Sequence, residues 1–223
     1  MLEGQPRTFY LRHYYLIELD QSKIALLDAL RDKHQQSSSD RRVQIQVLQG
    51  DCNIIIPELL ARRPISDHEA TFCLLDQRTF ECHWSTVETL ARYKKSGHKI
   101  ELFYFLPNSW LPRAVSRTKN VERLRRWWGR DDFDAFLHLS QAKRCSTFCE
   151  RLKTELGYTH VLPFPILERA HGRRIMYYMI HATDHPAAPT LMTYAYNTAV
   201  HPLPSEEQFL LALERINDAK PDL

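Results

Sequence analysis

The chain has 223 residues, of which 43% are hydrophobic and 26% charged, and its formal net charge is +3. This is the make-up of an ordinary globular protein long enough for one well-packed domain, residues 1–223, with nothing that forces a second. The small net charge and short, scattered Arg/Lys clusters leave nucleic acid possible without arguing for it.

No run approaches the ~18 apolar residues that a membrane span needs, and residues 1–9 lack a signal-peptide pattern. Five cysteines in a chain with a full-sized core do not read as a disulfide scaffold, so the cytoplasm is the expected compartment.

Residues 1–9, with Gly4 and Pro6, read as a loop. The continuous apolar run at 11–19 predicts a buried strand whose exit is marked by Glu18 and Asp20. Ile24, Leu27 and Leu30 fall at helical spacing within 23–33, and a polar loop follows at 35–40. Val43, Ile45 and Val47 alternate with glutamines, the period of a half-exposed edge strand. After Gly50-Asp51-Cys52-Asn53 comes a short helix at 54–60 with Pro57 near its start. Then follow a strand at 71–75, a helix at 84–93 and a strand at 100–106 closed by Pro107. Strand and helix alternating in this way predict a mainly parallel sheet with right-handed crossovers.

Helical patterns return at 121–128, 133–139 and 148–156, the last stopped by Gly157. The apolar runs 161–167 and 175–180 predict an antiparallel hairpin. Ser205 and Gln208 form a capping box opening a last helix through Phe209, Leu210, Leu213 and Ile216.

The acids at strand ends are the first candidates for chemistry. In a dinucleotide or S-adenosylmethionine site a carboxylate at a strand tip accepts hydrogen bonds from the ribose hydroxyls, which makes Glu18 the leading candidate and Asp20 its rival. Asp51 or Asn53 could bond an adenine edge, and turn formation explains the same residues. Asp76 ends the strand at 71–75, where it could orient a substrate donor or cap the loop. Glycine-rich turns are missing: the chain has six glycines, only Gly4 precedes Glu18, and neither a P-loop nor G-x-S-x-G occurs. Cys145 and Cys149 lie four apart and Cys82 adjoins His83, but no C-x₂-C spacing appears, so no metal site is expected. His181 and His185 bracket Asp184, inviting either an acid–base reading or plain loop polarity. Trp127 and Trp128 read as a base-stacking platform or as core.

Together these stretches resemble the three-Cys-motif partner protein (TcmP) family. YYLIELD at 14–20 is similar to the family's FIEKD, and GDCN at 50–53 to its Gly-Asp-x-Asn. LLDQRTFECHW at 74–84 places Asp76 and Trp84 in register with FLDPFG and a following Pro-Trp, with Gln77, Arg78 and Thr79 replacing Pro-Phe-Gly. MYYMIHATDHPAAPTLM at 176–192 is similar to YYLIFATNHxxGxxLM through Tyr178, Ala182, Thr183, His185 and Met192. The likeness spans about residues 3 to 200.

The resemblance implies a Rossmann-like, class I methyltransferase three-layer sandwich, mainly parallel with a C-terminal antiparallel hairpin and incomplete at the N-terminus. The family's first strand and its DLFAGPG turn have no counterpart here. The slot so left between strands 11–19 and 71–75 is expected to close by direct pairing, with residues 1–9 or a strand from another chain as alternatives. S-adenosylmethionine is the implied cofactor, held by Glu18, Asp20, Asp51 and Asn53, with Asp76 in the catalytic position. A three-Cys-motif radical-SAM-like protein is the implied partner. The functional expectations are a methyltransferase-like protein of unknown substrate, truncated or inactive; a non-catalytic interaction module acting with a partner; and a nucleic-acid-processing enzyme.

Overall fold

The computed structural model describes residues 11–37, 43–77, 79–117, 121–168 and 174–200. The chain divides into two compact units, Met1–Pro64 and Ile65–Leu223.

In the first unit, strand β1 (His13–Glu18) and strand β2 (Gln44–Gln49) run parallel, from His13 opposite Gln44 to Glu18 opposite Gln49. Helix α1 (Gln21–Ser37) connects them, and helix α2 (Cys52–Ala61) follows β2. The period-two pattern of β2 is visible in its burial: Ile45 and Val47 are half-buried while Gln44 and Gln46 are exposed. Helix α2 begins two residues earlier than the apolar run suggests, because Asp51 caps it. Pro57 therefore sits in the helix's second turn, and Ile56 and Leu60, one turn apart, supply its buried stripe. Leu26 and Leu30, also one turn apart on α1, stay 71% and 58% exposed.

The second unit holds a four-stranded sheet in the order β3-β4-β6-β5, built from β3 (Phe72–Leu75), β4 (Glu101–Leu106), β5 (His160–Leu167) and β6 (Ile175–Thr183). Its β3–β4 ladder is parallel, and its β4–β6 and β5–β6 ladders are antiparallel. The helices are α3 (Trp84–Ala91), α4 (Leu111–Arg117), α5 (Val121–Trp128), α6 (Phe133–Leu137), α7 (Gln141–Thr154) and α8 (Ala188–Val200).

One face of β4, carrying Leu102, Tyr104 and Leu106, is fully buried beneath an aromatic layer. Trp127 Nε1 donates to the Tyr104 hydroxyl at 2.7 Å, and Phe148 lies 4.9 Å from the Tyr104 ring. The Arg151 guanidinium lies over Trp84 and Trp128, 3.8 and 4.3 Å from their ring centroids, and holds Glu155 at 2.7 and 2.9 Å. On the opposite face α8 rests against β5, where Tyr196 donates to the Pro165 carbonyl at 2.6 Å.

The expected Rossmann-like, mainly parallel sandwich is overturned. The strands form two sheets, a small parallel pair and a larger sheet in which two of three ladders are antiparallel. The continuous apolar run of β4 was compatible with a parallel strand, but long antiparallel β6 pairs along it, from Leu102 opposite Ala182 to Leu106 opposite Tyr178. Strand β1 pairs with β2, and β3 with β4, in two separate sheets. The 161–180 hairpin is present as β5 and β6. The last predicted helix, through Phe209 and Ile216, lies outside the described residues.

Candidate functional site

Parallel pairing brings the ends of β1 and β2 together, with Gly50 N–H donating to the Glu18 carbonyl at 3.0 Å. Gly50 has φ +149°, and a Cβ there would meet Ile55 at 2.8 Å, so the tight passage into α2 requires glycine. Glu18, Asp20, Asp51 and Asn53 thus stand at one end of this pair.

One oxygen of each of the three acids serves the neighbouring chain. Glu18 Oε1 accepts from the N–H groups of Asp20 and Leu19, both at 2.9 Å. The bond from Asp20 is the main cause that lowers the Glu18 carboxyl below its ordinary range. Asp20 Oδ1 accepts from the hydroxyl of Ser22 at 2.7 Å and its N–H at 2.9 Å, which lowers the Asp20 carboxyl. Asp51 Oδ1 accepts from the N–H and side-chain amide of Asn53, both at 2.8 Å, capping α2.

Asp76 lies in the second unit, exposed, just beyond β3. The buried polar group there is its neighbour. Gln77 donates to the Phe105 carbonyl at 3.0 Å and accepts from the N–H groups of Glu81 and Cys82, each at 3.0 Å. Its amide fastens the turn after β3 to the end of β4.

Antiparallel pairing of β6 with β4 separates the residues of the His-Ala-Thr-Asp-His stretch. His181, buried, holds Glu101 through Nε2 at 2.7 Å, and its Nδ1 has no hydrogen-bond partner. Asp184 instead receives Lys99 Nζ at 2.9 Å and the Thr159 N–H at 2.9 Å. Burial pushes the Asp184 carboxyl up, and the bonds from Lys99 and Thr159 outweigh it and leave it low. Glu101 and Lys99 were missed by sequence reasoning, because only the strand register reveals which acid meets which base.

The basic run of α5 is locally matched: Arg123 meets Glu81 at 2.9 Å, Arg125 meets Asp134 at 3.1 Å, and Arg126 meets Glu122 at 3.2 Å. Trp127 and Trp128 are core. Cys145 and Cys149 are buried thiols on α7. Among the described residues, no group of three or more His, Cys, Asp or Glu is gathered that could hold a metal ion. No helix among them is long and apolar enough to cross a membrane.

What the structure leaves open is apolar. Phe72 and Leu74 share one face of β3 and are 45% and 55% exposed, with the Phe103 ring of β4 at 6.0 Å from Phe72. Leu26 and Leu30 form a second exposed pair in the first unit. Comparison with protein-family models, curated proteins and solved structures finds no match to this chain.

Proposed function

We propose that this chain is a non-catalytic interaction module that covers its open apolar surfaces with a partner protein in the cytoplasm. The observation that carries the reading is the thin first unit. Among its described residues only Ile56 and Leu60 are buried, while Leu26 and Leu30 on α1 lie in solvent. A two-stranded sheet with so little buried beneath it is marginal alone, and exposed apolar pairs mark places where another surface docks. The capping bonds of Glu18, Asp20 and Asp51 support the reading, since they give these acids a structural reason to be there. Five cysteines with no disulfide among them agree with a reducing compartment. A three-Cys-motif protein is the partner the resemblance suggests.

The test places a photo-crosslinking residue at Leu30, at Leu74 and at the polar control Glu122, and captures partners in the host cell. In parallel, S-adenosylmethionine is titrated into the purified chain by calorimetry. Capture of one defined protein at the leucines and not at Glu122, with no heat from the cofactor, is the expected result. Saturable cofactor binding accompanied by methyl transfer would assign catalysis instead and defeat the module.

A further inference from the structure

Resting on the reading of an interaction module, we propose that the outer edge of β3 receives an extended segment of the partner as an added strand. The segment carries alternate apolar residues between basic ones. The Thr71 carbonyl accepts from Glu101 N–H at 2.9 Å and so points toward β4. Alternate residues of a strand turn their N–H and C=O groups to opposite edges. Cys73 and Leu75 therefore face β4 as Thr71 does, and Phe72 and Leu74 turn their backbone groups outward.

No strand pairs with that edge among the described residues, for β3 stands first in the order β3-β4-β6-β5. The residues with outward backbone groups are also those with exposed side chains, Phe72 and Leu74. Natural edges are blunted by lysine, proline or a bulge. Strand β3 reads Phe-Cys-Leu-Leu and pairs with β4 without a bulge. Backbone pairing with pockets for alternate side chains is the mode by which sheets bind extended peptides.

Charge selects the occupant. Glu101, opposite Phe72 in register, is partly exposed at one end, and Asp76 is exposed at the other. Acid at both ends of an apolar centre fits a segment with Lys or Arg at its flanks. A second copy placed strand to strand would set acids against acids, which opposes pairing.

The full chain is titrated with the peptide KRVTVTRK and with its acidic counterpart EEVTVTEE, and amide exchange is followed by NMR. The basic peptide is expected to slow exchange at the Phe72 and Leu74 amides by about tenfold or more, and to bind about tenfold tighter than the acidic one. Leu74→Pro removes the outward N–H without touching the β3–β4 ladder and should abolish the protection. Leu74→Lys, at an exposed position, serves if the proline variant fails to fold. Unchanged exchange at Phe72 and Leu74, or equal binding by both peptides, overturns the proposal. Protection that rises with protein concentration and no peptide gives the edge to a second copy and overturns it too. Crosslinking at Leu30 with no protection at Phe72 and Leu74 removes the added strand and leaves the module standing. Absence of both removes both.

Discussion

Arg151 shows how a single side chain can fasten several parts of the second unit. Its guanidinium, 3% exposed, lies over Trp84 and Trp128, donates to the Trp128 carbonyl and grips Glu155 with two nitrogens. Arg151→Leu would keep much of the packing but strip Glu155 and a buried carbonyl of a partner, at a cost of about 3 kcal/mol. The cost should depend on pH. The hydrogen bond from Arg151 is the first cause lowering the Glu155 carboxyl from its ordinary 4.5. A lowered carboxyl contributes its full stability above that ordinary value and loses it as pH falls through the native one. Urea melts should therefore show the gap between wild type and Arg151→Leu narrowing as pH drops below about 4.5; a gap constant with pH would remove the ionic part of the account. Asp51 gives a second prediction. As the cap of α2, Asp51→Ala should cost about 1 kcal/mol in urea melts, and Asp51→Ser should restore most of it. Equal loss in both variants would mean that the carboxylate matters for something other than capping.

At the scale of elements, local signals were readable and pairing partners were not. Helix α5 matches its expected bounds because Leu124, Trp127 and Trp128 print a clean stripe. Helix α7 starts seven residues before the expected 148, since its first turns bury Arg144 and Cys145, and a buried arginine hides the apolar period. Arg144 is held by the Asn108 side chain at 2.7 Å and the Leu139 carbonyl at 2.7 Å, partners that only the fold supplies. Helix α8 was unread because Pro189 lies in its first turn and Pro186 just before it. The antiparallel β4–β6 ladder, which decides the fold class, joins residues about eighty apart in sequence and leaves no local trace. The same holds for the candidate site: the strand-tip acids were visible as residues, but their use as caps depended on local geometry. Gly129 carries the prediction of this scale. It ends α5 at φ +73°, and an added Cβ would come within 2.4 Å of Trp84 Cβ. Gly129→Ala should lose more than the ~1–2 kcal/mol of a left-handed residue, measurable in thermal melts. A loss under ~1 kcal/mol would mean that the Trp84 backbone yields.

For the whole molecule, the uneven distribution of core predicts that the chain does not unfold in one step. The second unit buries Trp84, Trp127, Trp128, Tyr104, Phe136 and Phe148 in one continuous aromatic layer, while the first buries Ile56 and Leu60 among its described residues. Burial of apolar surface is the main favourable term in folding, at about 25 cal/mol per Å². Two units so differently filled should differ in stability by several kcal/mol, enough to separate their transitions. The sequence supplies the probe, because all four tryptophans, Trp84, Trp110, Trp127 and Trp128, lie in the second unit. Tryptophan fluorescence therefore reports that unit alone, whereas far-ultraviolet circular dichroism sees both. In urea the dichroism should begin to fall at lower denaturant than the fluorescence, and the amides of β1 and β2 should exchange at least about tenfold faster than those of β4 and β6, corresponding to ~1.4 kcal/mol. A partner that covers Leu26 and Leu30 should pull the early transition toward the later one by mass action, leaving the fluorescence midpoint in place. Coincident transitions in the isolated chain would show the first unit to be as stable as the second, and would remove the physical reason for a partner there.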